Sequence, residues 1–226
     1  MKTIVVIGGS QGIGASIVDQ LKTSYHIVNI SRNEPEYHPN IEHHTCDVVN
    51  DELPEITREI HGLVYCPGSI NLKPFNRLKL EDFQSDLDVN VIGAIKVLQK
   101  YVDNLKANSG SVVMFSTVAT HMGMSFHSSI ALSKAAVEGL VKSLAAEYAT
   151  KIRFNCIAPT ITNTPLASKL LRNEKQIALM EERHPLKRIL NPEEIASLAT
   201  YLLDDKSSAI SGQIFPIDAG LVSVKV

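Results

Sequence analysis

Three groups of residues in this chain have types and spacings suited to chemistry. The first is GGSQGIG, residues 8–14, which follows the apolar run TIVVI and precedes a helical pattern. Glycines at 8, 12 and 14 permit a tight turn and let the backbone approach a pyrophosphate at a helix N-terminus. Ser10, Gln11 and Ile13 belong to the same turn. In its strand–turn–helix setting, such a turn points to a dinucleotide. The second group is Ser31-Arg32, closing the next β-branched run, HIVNIS. An acid there would hold a ribose 2′-hydroxyl, whereas a small hydroxyl followed by a guanidinium suits a 2′-phosphate. NADP(H) is therefore favoured over NAD(H). The third group lies in HSSIALSKAAVEGL, residues 127–140. Lys134 stands there among Ala131, Ala135 and Leu140, so it reads as a ligand-facing charge on an otherwise buried helix.

Ile130 stands one helical turn before Lys134, and His127 three residues earlier again. Those spacings form one stripe on a helix, which would turn His127 toward the same cavity, and a neutral-range imidazole is a competent proton donor. Alternatively the helix starts at Ser128 and His127 sits on the loop before it. His121, on that loop, is a second imidazole, and Met122, Met124 and Phe126 are candidate apolar walls.

These groups need a frame. β-branched runs alternate with longer helical patterns along the chain: TIVVIGG, HIVNIS, IEHHTCDV, LVYC, SGSVVMFST, KIRFNCIAP and GQIFPID read as seven strands. Helices are expected over residues 12–21, as one long amphipathic helix over 80–106, and over 128–148. A further helix starts at Asn191-Pro192-Glu193-Glu194, with Asn as N-cap and Pro at the first position. Alternation of this kind, with apolar strands, implies an α/β fold with a parallel sheet covered on both faces. Residues 160–184 fit no regular element; they form either a lid or a pair of packed helices. No linker or repeat interrupts the pattern, so residues 1–226 are expected to form one domain.

The chain has 226 residues, 44% of them hydrophobic and 20% charged, with a formal charge of −2. That balance gives no attraction to nucleic acid or anionic membrane. Cys46, Cys66 and Cys156 are odd in number and widely spaced, which argues against a disulfide framework or zinc site and for a reducing compartment. The five-residue apolar run near the N-terminus does not read as a signal peptide, and no run reaches membrane-spanning length. A cytoplasmic protein acting on a small molecule is the expectation.

With these residues in place, the sequence resembles the short-chain dehydrogenase/reductase family over nearly its whole length. The spacing Gly8/Gly12/Gly14 is that family's form of the turn. Asp47-Val48 resembles its adenine-contacting pair, Asn90 in DVNVIGA its helix asparagine, and Ser116-Thr117 its paired hydroxyls. Lys134 in SKAAVEGL resembles its active-site lysine. Gly68 closes the family's motif after the fourth strand. Pro159, Thr162 and Thr164 fit the segment running past the nicotinamide, and IDAG at 217–220 resembles a C-terminal signature. The resemblance implies a three-layer, doubly wound Rossmann fold, with strand order 3-2-1-4-5-6-7. It also implies hydride transfer between a nicotinamide and a carbonyl or alcohol, and a homodimer or homotetramer joined through the helices at 80–106 and 128–148.

In that family a tyrosine four residues before the lysine handles the proton, a serine orients the substrate oxygen, the lysine binds ribose and the asparagine holds a water. Here the tyrosine position is Ile130 and the serine is Thr117, thirteen residues before it. Tyr65-Cys66-Pro67-Gly68 replaces Asn-Asn-Ala-Gly, and Thr160 follows Pro159 where glycine is common. In the family's enoyl-reductase branch the tyrosine stands seven residues before the lysine, the place of His127. The implied catalytic set is thus Asn90, Thr117, Lys134 and His127. It serves either an NADP(H)-dependent reductase with altered proton delivery, acting on a carbonyl or conjugated enone, or a silent NADP(H)-binding sensor or partner subunit.

Overall fold

A computed structural model describes residues 1–225. Seven parallel strands form one sheet in the order β3-β2-β1-β4-β5-β6-β7. They are β1 Thr3–Ile7, β2 His26–Ser31, β3 Ile41–Thr45, β4 Ile60–Tyr65, β5 Ser111–Phe115, β6 Arg153–Pro159 and β7 Ile214–Ile217. Six α-helices accompany them: α1 Gly12–Leu21, α2 Leu80–Leu87, α3 Gly93–Ala107, α4 Ser128–Glu147, α5 Glu174–Glu182 and α6 Pro192–Leu203.

The pleat sends alternate strand residues to opposite faces. Ile4 and Val6 of β1 pack with Ile17, Val18 and Leu21 of α1 and Ile195, Ala199 and Leu202 of α6. Val5 and Ile7 pack on the other face with Val97, Leu98 and Tyr101 of α3 and Val137 and Val141 of α4. The central strands are therefore buried on both sides and read as continuous apolar runs. The edges differ, as unpaired strands require. β3 carries Glu42, His43 and His44, and β7 carries Pro216.

Helix α6 begins as expected, with Pro192 in its first turn and a reciprocal capping box between Asn191 and Glu194. The expected long helix at 80–106 is instead two helices joined by a π-helical turn, Asp88–Ile92. Gly93 N–H bonds to the carbonyl of Asp88, five residues back, so the ladder slips by one residue. Residues 160–184 hold a 3₁₀ turn, Pro165–Ala167, and the single helix α5, which buries no residue. The stretch is thus not a pair of packed helices. Among the described residues, no helix is long and apolar enough to cross a membrane, no cluster suited to a metal is present, and the three cysteines are free.

Candidate functional site

The strand order reverses between β1 and β4, which opens a crevice beyond their carboxyl ends. The glycine turn sits there. Gly8 and Gly12 have φ of 77° and 56°, the left-handed region that side chains disfavour. A Cβ on Gly14 would lie 2.2 Å from the Gly8 carbonyl oxygen, so only glycine lets α1 start this close to β1. The first turn of α1 holds no acid, and its N-cap residue, Gln11, makes no side-chain cap bond. Its N–H groups are left for an anion.

A cavity of about 950 Å³ runs from this turn. It passes the end of β2, residues 46–50 after β3, residues 66–69 after β4, and residues 164–166. Of the residues expected to hold a cofactor, Gly8, Ser10, Gln11, Gly12, Ile13, Gly14, Ser31, Arg32, Asp47, Val48, Gly68 and Thr164 all line it. Arg32 is exposed and, among the described residues, has no ion-pair partner. The Asp47 carboxylate accepts from Val49 N–H at 3.0 Å and Asn50 Nδ2 at 3.1 Å, contacts that hold its pKa below the usual range. Pro159 and Thr162 stand behind the wall. Pro159 pairs with Ile217, and Thr162 is buried, its hydroxyl donating to the Thr160 carbonyl.

Lys134 and Asn90 do not line this cavity; they lie beside Gly68 of its wall. Lys134 is 8% exposed, and its Nζ donates to the Phe115 carbonyl at 3.0 Å. Burial pushes its pKa down from 10.5 to about 8. Nζ also lies 3.8 Å from the point where a Cβ on Gly68 would sit. Asn90, in the π-helical turn, donates from Nδ2 to the Asp86 carbonyl at 2.7 Å and to Ser69 Oγ at 3.0 Å. Its Oδ1 is buried without a partner and lies 3.6 Å from the same point beside Gly68. An orphaned buried acceptor is costly, and here it faces the same space as the lysine ammonium.

Thr117 and His127 stand apart from this pair. Thr117 is half-buried at the N-cap of a 3₁₀ turn, where its Oγ1 accepts from Ala119 N–H at 3.4 Å. Its neighbour Ser116 donates to Glu138 Oε1 at 2.5 Å. Helix α4 starts at Ser128, so His127 is its N-cap residue, with φ −101° and ψ 10°. The expected helical stripe through His127 therefore ends one residue short. Its Nδ1 lies 2.7 Å from the Ser125 carbonyl, which can only accept, so that nitrogen carries the proton. His121 pairs with Glu138 at 3.4 Å. Ile130 is 6% exposed.

Two functional side chains escape sequence reasoning. Asn29, fully buried in β2, accepts from Gly9 N–H at 2.9 Å through Oδ1. Asp86, fully buried in α2, accepts from Ser69 Oγ, Asn71 Nδ2 and Ser129 Oγ. The only sequence signal for either is a polar residue inside an apolar pattern.

A glycine turn at the topological switch point, a long cleft and a lysine buried behind Gly68 of its wall define a dinucleotide-dependent α/β protein. The cradle fits such a group, because Gly8 and Gly12 hold the left-handed φ that keeps the turn free of side chains along the cavity, and the unpaired Asn90 Oδ1 lies beside Gly68 of its wall. Comparison with known proteins narrows the class. The family model described as enoyl-(acyl carrier protein) reductase matches residues 41–222. A tropinone reductase homologue of Arabidopsis thaliana is 30% identical over 241 residues, covering 97% of this chain and 91% of its own. The 3-oxoacyl-[acyl-carrier-protein] reductase FabG of Thermotoga maritima is 38% identical over 148 residues, 65% of this chain and 59% of its own. The crystal structure of a short chain dehydrogenase family protein from Francisella tularensis superposes with a TM-score of 0.90 at 26% identity, covering 99% of this chain and 100% of that one. This chain belongs to the short-chain dehydrogenase/reductase family. Oxidoreductase chemistry with NAD(P) is the activity of that family.

Proposed function

We propose that this protein is an NADP(H)-preferring reductase of a small carbonyl or conjugated enone whose proton does not come from residue 130. The observation that carries the reading is Ile130. It is buried one turn before Lys134, at the position that the resemblance matches with the family's tyrosine. An alkyl side chain neither gives nor takes a proton. A positioned acid contributes roughly 10²–10⁴-fold in rate. Orientation of the reactants is worth about 7–11 kcal/mol and does not depend on that acid. A reaction less dependent on protonation survives the replacement. Reduction of a conjugated C=C is one, because its enolate can be held by hydrogen bonds.

In this reading the glycine turn and the N-terminus of α1 hold the pyrophosphate, and Arg32 with Ser31 holds the 2′-phosphate. Asp47 and Val48 flank the adenine, and Gly68, Pro159, Thr162 and Thr164 shape the nicotinamide half. The bound nicotinamide supplies the hydride. Lys134 donates to ribose hydroxyls, and the Asn90 Oδ1 accepts from a water or ligand in the same space. Thr117 donates to the substrate oxygen. Lys134, with an ammonium pKa near 8, can release a proton through that water at neutral pH. His127 Nε2 is the alternative donor once protonated. The names of the relatives support both substrate classes: one is a tropinone reductase homologue, one a 3-oxoacyl-[acyl-carrier-protein] reductase, and the family description concerns enoyl reduction.

The test is a paired titration followed by one substitution. The protein is expected to bind NADPH more tightly than NADH, and Ile130→Tyr is expected to raise carbonyl reduction by about 10²-fold or more. A second reading, a silent NADP(H)-binding sensor or partner subunit, starts from the same buried isoleucine. That reading is the correct one if NADPH binds, alters assembly, and is consumed by no acceptor.

A further inference from the structure

The hydrogen bonds around Asn29 form a closed logic. Gly9 N–H can only donate, so the Asn29 atom facing it at 2.9 Å is Oδ1. That fixes the amide. Its Nδ2 then faces Ser31 Oγ at 2.8 Å and His43 Nδ1 at 2.9 Å, and each takes one of its two hydrogens. Neither hydrogen is free, so the amide cannot turn. Ser31 Oγ, already accepting from Asn29, sends its own proton to the Asn33 carbonyl at 2.7 Å. Ser31 and Asn33 both line the cavity beside Arg32. A Cβ on Gly9 would lie 2.4 Å from Asn29 Oδ1, so the turn and the amide are fitted to one another.

We propose that Asn29 is a positioning residue that sets the preference for a 2′-phosphate, by holding the Ser31 hydroxyl in the donating direction. The inference rests on the NADP(H) reading above and goes beyond it. A 2′-phosphate offers only acceptors, so it needs hydrogen-bond donors around it. A serine hydroxyl is indifferent, since it can donate or accept. Asn29 removes the indifference from beneath. With Nδ2 on one lone pair of Ser31, the hydroxyl does not donate inward; its proton goes to the Asn33 carbonyl on the cavity wall, and a 2′-phosphate beside Arg32 would draw it from there. The same side chain ties the pyrophosphate turn to the 2′ position, so the two anion sites are set by one buried group.

The decisive variant is Asn29→Asp. It keeps an acceptor for Gly9 N–H, with His43 at hand to donate from the other side. It loses the donor to Ser31, and its carboxylate draws the Ser31 proton inward. Dissociation constants for NADPH and NADH are measured on the intact protein by calorimetry. N29D is expected to weaken NADPH at least about tenfold more than NADH. Ser31→Ala is expected to lower the same preference by itself, and N29D added to S31A is expected to lower it by less than N29D does alone. If N29D lowers the preference equally with and without the Ser31 hydroxyl, its charge is responsible and the proposal is overturned. An unchanged preference in N29D or in S31A overturns it as well, and S31A decides alone if N29D does not fold. Wild-type protein that prefers NADH, or binds neither cofactor, overturns the NADP(H) reading and this inference with it. Wild-type preference for NADPH with unmoved variants overturns this inference only.

Discussion

At the scale of single residues, the site turns on groups whose burial changes their chemistry. Lys134 titrates at about 8 in the folded chain against 10.5 for an ordinary lysine, because burial disfavours its ammonium. Between those values the unfolded chain holds the extra proton, so the contribution of Lys134 to stability is poorest below pH 8 and improves as pH rises toward 10.5. Burial of Cys66 and Cys156 acts in the opposite sense, pushing each thiol up to about 12, so stability from them falls above pH 9. Comparison with Lys134→Met isolates the lysine. Urea unfolding between about pH 7 and pH 10 is expected to show wild type gaining about 1–3 kcal/mol on K134M. A difference that stays flat with pH contradicts the buried-cation account. Lys134 and the glycines were legible in the sequence because their spacing alone states their setting. Asn29 and Asp86 were not. Asn29 becomes a brace only because the register pairs it with Val6 on one side and His43 on the other. Asp86 reads as the polar side of a helix until Ser129 of α4 is brought against it.

At the scale of elements, the slip between α2 and α3 is what presents Asn90. Gly93 N–H bonds to Asp88 rather than Val89, so the Val89 carbonyl loses its usual α-helical partner. Tyr65 covers it, its hydroxyl donating to that carbonyl at 2.6 Å. Asn90 adds its own Nδ2 to the Asp86 carbonyl at 2.7 Å. The price of that arrangement is space, since a Cβ on Gly93 would lie 2.5 Å from Tyr65 Oη. Gly93→Ala is therefore expected to destabilise the fold by about 1–3 kcal/mol through overpacking. Adding Tyr65→Phe removes the clashing oxygen, so the penalty of G93A should be smaller in that background. Equal penalties in both backgrounds, read from urea midpoints at constant m-value, show that the phenol does not hold the turn. The pattern of residues 80–106 is helical throughout, and a one-residue slip leaves the apolar periodicity almost intact. That is why the sequence reads as one helix. The boundaries of α4 and the start of α6 were legible because each helix follows a break in pattern, and for α6 because Asn191, Pro192 and Glu194 form a start signal of known chemistry.

At the scale of the whole molecule, the strand order places the cleft beyond the carboxyl ends of the strands. The alternation of strands and helices implied a covered parallel sheet, and the order itself was implied by the family resemblance. Ile92, at the end of the π-helical turn, and Leu132 of α4 remain 46% and 49% exposed. The helices expected to join copies of the chain thus carry uncovered apolar side chains. Light scattering is expected to return a dimer or tetramer, and Leu132→Glu to shift it toward monomer; a monomeric wild type contradicts that expectation. The central claim is turnover without a tyrosine. The most direct measurement loads wild-type protein with NADPH, confirms binding by fluorescence, and follows loss of the reduced-nicotinamide absorbance with a panel of activated carbonyls and conjugated enones. The account predicts acceptor-dependent oxidation with at least one class, faster for enones than for simple ketones. Bound NADPH that no member of the panel consumes contradicts it.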